Sequence, residues 1–177
     1  MDRFIEFLKK KDESKNIKRA LTDSSYKKTF EKVNKKPMPI NETNFELATL
    51  GDSILKFVLC NIYLDDVINL SKYIEKYLKD EVFIETIAKQ YSLLEYLLMD
   101  DTDCRISKEY IYFFKKPKKT KYIATAIEAM IAAIYLETND LSVVKEIIMN
   151  WISIIDLNSN NLINNKENII WITKIIL

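Results

Sequence analysis

Asn44-Phe45-Glu46-Leu47-Ala48-Thr49-Leu50-Gly51-Asp52-Ser53-Ile54-Leu55 holds the one glycine of a 177-residue chain. Glycine inside a helix costs about 1 kcal/mol relative to alanine. A chain this poor in glycine therefore places it where a backbone or a neighbouring helix must come close. The residue after it, Asp52, is a carboxylate on a stretch that otherwise reads as buried. A space-making residue beside an expensive charge marks a site.

The surrounding pattern is helical. Thr43 and Glu46 have capping-box spacing, which predicts a helix starting near Thr43 with Glu46 reaching back to its cap. Its apolar residues continue through Ile54, Phe57, Val58, Ile62 and Tyr63 and cover most of the circumference, so the helix is expected to be buried on most sides. Toward the N-terminus, residues 2–10 form a short amphipathic segment, and a second short helix contains Ala20, Leu21 and Tyr26. Lys35 to Ile40, with Pro37 and Pro39, reads as an extended connector. Toward the C-terminus, one long helix is expected from Ser71 through Ala88, then helices from Tyr122 to Leu136 and from Leu141 to about Ile155. Asp156 to Glu167 is rich in asparagine and reads as a mobile loop, and the apolar tail from Ile169 to Leu177 must dock on the domain or on a partner. The expected organisation is a helical domain over 1–156 followed by this loop and tail over 157–177.

Bulk properties narrow the function. The hydrophobic fraction is 48%, the charged fraction 30% and the net charge +1, as in an ordinary globular domain. A nearly neutral chain contacts nucleic acid only through local patches. With no histidine at all, imidazole catalysis and histidine metal sites are excluded. Cys60 and Cys104 form no framework, which points to a reduced, intracellular protein, and no apolar run approaches the length of a membrane span.

Two acids lie on apolar helical faces: Asp52, and Glu128 within Ile123-Ala124-Thr125-Ala126-Ile127-Glu128-Ala129-Met130-Ile131. A buried carboxylate must be paired, hydrogen-bonded or bound to metal. Converging acids make the oxygen-rich site that hard cations prefer. In the plainer alternative Asp52 pairs with a lysine or caps a neighbouring helix, and Glu128 is half exposed.

The stretch from Asn44 to Leu55 resembles the signature of the ribonuclease III family, roughly N-E-x-L-E-F-L-G-D-x-x-L. Three further segments follow in the family's order. Ala20-Leu21-Thr22-Asp23-Ser24-Ser25-Tyr26 is similar to A-L-T-H-R-S-Y. Val82-Phe83-Ile84-Glu85-Thr86-Ile87-Ala88 is similar to V-S-N-E-T-L-A. Ala124 to Leu136 is similar to A-D-x-x-E-A-L-I-G-A-I-Y-L. The resemblance spans roughly residues 15–155 and implies an all-α endonuclease domain, a helical bundle that dimerises through the signature helix and holds double-stranded RNA in a cleft. The family usually adds a double-stranded-RNA-binding domain at the C-terminus, and none is expected within these residues.

The resemblance also implies four acids per site that hold Mg2+. Carried over by position, Asp52 and Glu128 remain, while Ala48 and Thr125 stand where the other two acids belong. Glu46 is two residues from Ala48 and faces another side of the helix. Glu85 matches an acidic family position near the cleft but cannot replace both missing ligands. Asp23 replaces the family's histidine, and Phe83-Ile84 its polar pair. Metal-assisted phosphodiester hydrolysis commonly needs two divalent ions, and two carboxylates supply half the charge that four would. Alanine offers no ligand, and a threonine hydroxyl offers a weak one. The expectation is a domain that retains the fold, binds Mg2+ weakly or not at all, and has lost cleavage. The alternatives are an active endonuclease using Asp52, Glu128 and Glu85 or Thr125, and a purely structural subunit of a ribosome or RNA-processing complex.

Lys27, Lys28, Lys32, Lys35 and Lys36, with Lys115, Lys116, Lys118, Lys119 and Lys121, are the candidate phosphate contacts. The plainer reading is a set of solvated lysines offset by nearby acids. Tyr110, Tyr112, Phe113 and Phe114 beside the basic loop can stack on bases or form a seam. The expected partners are RNA and a second subunit, either another copy or a different RNase III-like chain, and Gly51 is expected to ease the helix–helix approach.

Overall fold

The computed structural model describes residues 2–100 and 121–176, with the side chains of residues 40, 84–85 and 160–176 outside the description. Helices α1 (Arg3–Lys9) and α2 (Lys15–Ala20) each start from a side-chain cap: Asp2 accepts from the Phe4 amide at 2.9 Å and Ser14 from the Ile17 amide at 3.1 Å. These oxygens satisfy amides that the first helical turn leaves without partners. The second predicted helix is in fact two. α3 (Tyr26–Asn34) is separate from α2, because the chain turns at Asp23, whose carboxylate accepts from the Ser25 amide at 2.8 Å. An isolated bridge, Thr22 to Leu98, ties this turn to a distant segment, and the described residues contain no named strand.

The signature stretch forms α4 (Phe45–Ile62), capped at Asn44 rather than Thr43. Glu46 does not close a capping box. Its carboxylate pairs with Arg19, whose Nε also donates to the Thr43 carbonyl at 3.1 Å. A partner from α2 thus outcompetes the local backbone.

The long helix expected over 71–88 is broken. α5 (Leu70–Tyr77) stops at Leu78, Lys79 is extended, and α6 (Asp80–Val82) runs into a π-helical stretch, Phe83–Ala88. α7 (Lys121–Thr138) and α8 (Leu141–Ile176) complete the described chain. The asparagine-rich segment expected as a loop is instead helical, since α8 continues through residues 156–167 to Ile176. Asparagine is only a mildly poor helix former, and an established helix propagates at low cost per residue.

The innermost helix is α7, with Ile123, Ala124, Ala126, Ile127 and every residue from Ala129 to Ile134 buried. It packs along α4 and also touches α2, α8 and the π-helical stretch. α4 is therefore not buried all round. One side carries Leu47, Ile54, Leu55, Val58 and Leu59 into the core, while the other leaves Phe45 73%, Leu50 39% and Phe57 59% exposed. Periodicity registered the apolar content of α4 correctly, but it could not tell a face buried in this chain from a face left for something else.

Candidate functional site

Close packing of α4 and α7 builds the site. A methyl group on Gly51 would lie 1.8 Å from the Glu128 carbonyl oxygen and 2.5 Å from its carbonyl carbon. No side chain fits there, so glycine is required by space. The close approach is to α7 of the same chain, a neighbouring helix as the glycine's placement led one to expect. Its consequence is chemical: the residue after Gly51 is Asp52, and the backbone touched belongs to Glu128.

Asp52 and Glu128 therefore share one region. Burial pushes the Glu128 carboxyl up to about 7, and the negative charges of Asp52 and then Asp80 push in the same direction. Lys121 and Lys56 oppose the rise. An acid that feels Asp52 and Asp80 stands in a shared electrostatic environment with both. Asp80, at the start of α6, and Lys56 are the members that sequence reasoning missed. For Lys56 a signal existed, since it lies one turn after Asp52, where a helix brings opposite charges together. Its Nζ is 2.6 Å from Asp52 Oδ2, with Lys56 53% and Asp52 37% exposed, so the pairing with a lysine that sequence left open is what forms. For Asp80 no local signal existed, because the break after α5 decides where it sits.

The structure describes both residues that the resemblance sets at acidic positions, Ala48 and Thr125. Ala48, one turn before Asp52, is buried and offers no ligand. Thr125, three residues before Glu128, donates its hydroxyl hydrogen to the Lys121 carbonyl at 3.0 Å, turned along its own helix. No three acid, cysteine or histidine side chains among the described residues are grouped to hold a metal ion. Asp80 is close enough to be felt but does not complete a cage. Among the described residues the donor set does not fit a pair of Mg2+ ions, which rely on carboxylates and give up water reluctantly. Glu85 lies in the π-helical stretch, and its side chain is outside the described residues.

Of the lysines, Lys27 and Lys28 are exposed on α3, where Lys27 stands 4.0 Å from Glu31. Lys121 is exposed at the start of α7 and belongs to the Glu128 environment. Lys115, Lys116, Lys118 and Lys119, the aromatic cluster over 110–114 and Cys104 lie outside the described residues.

Fold and site together describe an all-helical domain in which Asp52 of α4 and Glu128 of α7 share one electrostatic environment. The family model described as Ribonuclease-III-like matches residues 13–154, and the chain belongs to that family. Its fold is similar to a nuclease domain of ribonuclease III from Campylobacter jejuni described for structural flexibility in the region involved in dimer formation. That similarity has 25% identity, a TM-score of 0.60, and coverage of 84% of this chain and 95% of that one. A 2.2 Å crystal structure of the ribonuclease III nuclease domain from the same organism is similar in fold, at 24% identity and TM-score 0.58 over 86% of this chain and 94% of that one. No curated protein matches the sequence. No described helix is long and apolar enough to cross a membrane.

Proposed function

We propose that this chain is a non-cleaving RNase III-type domain that dimerises and contacts double-stranded or structured RNA. The observation that carries the reading is the donor set at the α4–α7 crossing. Asp52 is engaged by Lys56, Glu128 titrates near neutrality, and Ala48 and Thr125 supply no carboxylate. Two of the four acids that the family resemblance implies are replaced, by Ala48 and Thr125. Such a cluster lacks the charge to hold two divalent ions at once.

The exposed side of α4 supports dimerisation. Leu50 and Phe57, seven residues apart, share one exposed strip of α4, and Leu64, Val67 and Ile68 just beyond the helix are 61%, 67% and 93% exposed. An apolar band of this kind marks an interaction surface. Either a second copy or another RNase III-like chain meets it, as a free dimer or within a ribosome or RNA-processing complex. Lys27, Lys28 and Lys121, exposed among the described residues, are the RNA contacts this reading assigns. The division of the chain near residue 156 belongs to the same reading, since the family match ends at 154 and Ile155 is the last buried apolar side chain among the described residues.

The test is incubation of purified protein with long duplex RNA in Mg2+ or Mn2+, followed by a gel shift and a denaturing gel. Retarded but intact RNA is the expected result. Cleavage that disappears in Asp52→Asn would instead establish an active endonuclease.

A further inference from the structure

We propose that the cavity between α2, α3 and the connector over 36–39 binds a single nucleotide, its phosphate met by lysines and its base laid on Tyr26 and Phe30. The nucleotide is either free or the unpaired end of an RNA strand. The cavity is separate from the α4–α7 crossing, so the inference holds whether or not duplex RNA is bound.

Local structure makes the cavity. Tyr26, Phe30 and Asn34 fall at i, i+4 and i+8, so they follow one stripe of α3 along it. No residue of α3 is buried, so this aromatic stripe is not consumed by the core. The helix ends at Lys35, whose left-handed backbone (φ 55°) turns the chain away from the helix axis. Pro37 and Pro39, with φ fixed by their rings, stiffen the segment that follows, and buried Met38 anchors it. Thr22 and Leu98, joined by the isolated bridge, also line the cavity. Its volume is about 530 Å3, within the roughly 300–1,000 Å3 of small-molecule sites. A duplex keeps its bases stacked inside and presents only backbone to such a cavity, so an unpaired nucleotide is the unit of RNA that fills it.

Charge selects an anion. Lysines line the cavity from three segments: Lys11 on the turn after α1, Lys18 on α2 and Lys36 beyond α3. Two acids line it, Asp12 and Glu42, and Glu42 is already met by Lys15 at 3.8 Å. Among the described residues the ammonium groups of Lys11, Lys18 and Lys36 make no ion pair or hydrogen bond. Lys11 is half-buried, and burial lowers its pKa against the pull of Asp12, with the like charge of Lys18 adding to the fall. An anion seated there relieves that repulsion, and lysine meets phosphate as a compact point charge. Tyr26 and Phe30 supply what a bare phosphate has no use for: flat faces on which a base stacks.

The experiment titrates AMP, adenosine and inorganic phosphate into the isotope-labelled full chain and follows the amide signals of Thr22 and Phe30 by NMR. AMP is expected to shift both signals, with adenosine and phosphate each binding about tenfold more weakly. Lys11→Gln with Lys36→Gln should weaken AMP about tenfold and leave adenosine unchanged. Phe30→Leu should weaken both ligands, and Phe30→Tyr should restore them. Lys9→Gln with Lys72→Gln removes the same charge from exposed positions outside the cavity and should keep AMP within about twofold of wild type. Each variant is checked for fold by circular dichroism. Competition identifies the source. A duplex with one unpaired end nucleotide that displaces AMP better than a blunt duplex assigns the site to RNA ends, and displacement by neither assigns it to a free nucleotide. The inference is overturned if AMP at about 10 mM shifts neither signal, or if phosphate binds as well as AMP. It falls equally if the Lys9/Lys72 variant loses as much affinity as the Lys11/Lys36 variant, or if the blunt duplex displaces AMP as well as the unpaired end does.

Discussion

Replacing Gly51 with alanine sets two effects of opposite sign against each other. Helix propensity alone favours alanine by about 1 kcal/mol. The added methyl would sit 1.8 Å from the Glu128 carbonyl oxygen, a backbone atom that cannot rotate away. Overpacking of this kind costs roughly 1–3 kcal/mol, so Gly51→Ala is expected to lose net stability in urea unfolding. A gain would show that the helices relax apart without cost. Glu128 offers a second test. Its folded-state carboxyl titrates near 7 against an ordinary value of 4.5, so between those values the folded chain binds more protons than the unfolded one. Stability on this account is highest below pH 4.5, falls as pH rises, and is lowest above 7. Glu128→Gln removes that dependence. It should raise the melting temperature at pH 8 relative to wild type and make little difference near pH 4, as thermal melts at the two pH values would show.

At the scale of the element, α4 performs two tasks on opposite sides. The side carrying Leu47, Ile54, Leu55 and Val58 belongs to the core, while Phe45, Leu50 and Phe57 face outward. A charge on the outward side adds no buried cost to the monomer but places an unpaired carboxylate in any interface formed there. Phe57→Asp should therefore shift sedimentation from dimer to monomer while leaving the helical circular dichroism signal unchanged. A dimer that survives would place the interface elsewhere. The break between α5 and α6 is equally consequential. Lys79 is extended, and the turn it makes puts Asp80 in the Glu128 environment. Asp80→Asn should lower the Glu128 pKa, measurable by NMR titration, by less than Asp52→Asn does, because Asp52 exerts the larger influence.

For the whole molecule, the fold was legible to a large degree. Four ordered segments carried the family resemblance, and the family match over 13–154 and the helical architecture agree with it. Half of the candidate site was legible too. Asp52 and Glu128 stood out as acids on apolar helices, and the structure brings them into one environment. Lys56 and Asp80 did not stand out, because surface charges are common in any helical chain and only their neighbours distinguish them. The errors have the same origin. Glu46 was assigned to its own helix cap, but Arg19 from another element captured it. Residues 156–167 were assigned to a loop from composition, but α8 propagates through them.

Hydrophobic period marked the chain as helical, and the order of four motifs carried its resemblance to the RNase III family, which the family match agrees with. Those features are local or positional, and a string of residues states them fully. Tertiary structure alone decided which backbone Gly51 touches, which side of α4 stays uncovered and which charges surround Glu128. Each of these depends on residues far apart in the chain meeting at contact distance, where Coulomb energy and excluded volume act on separation in space and are indifferent to separation in sequence.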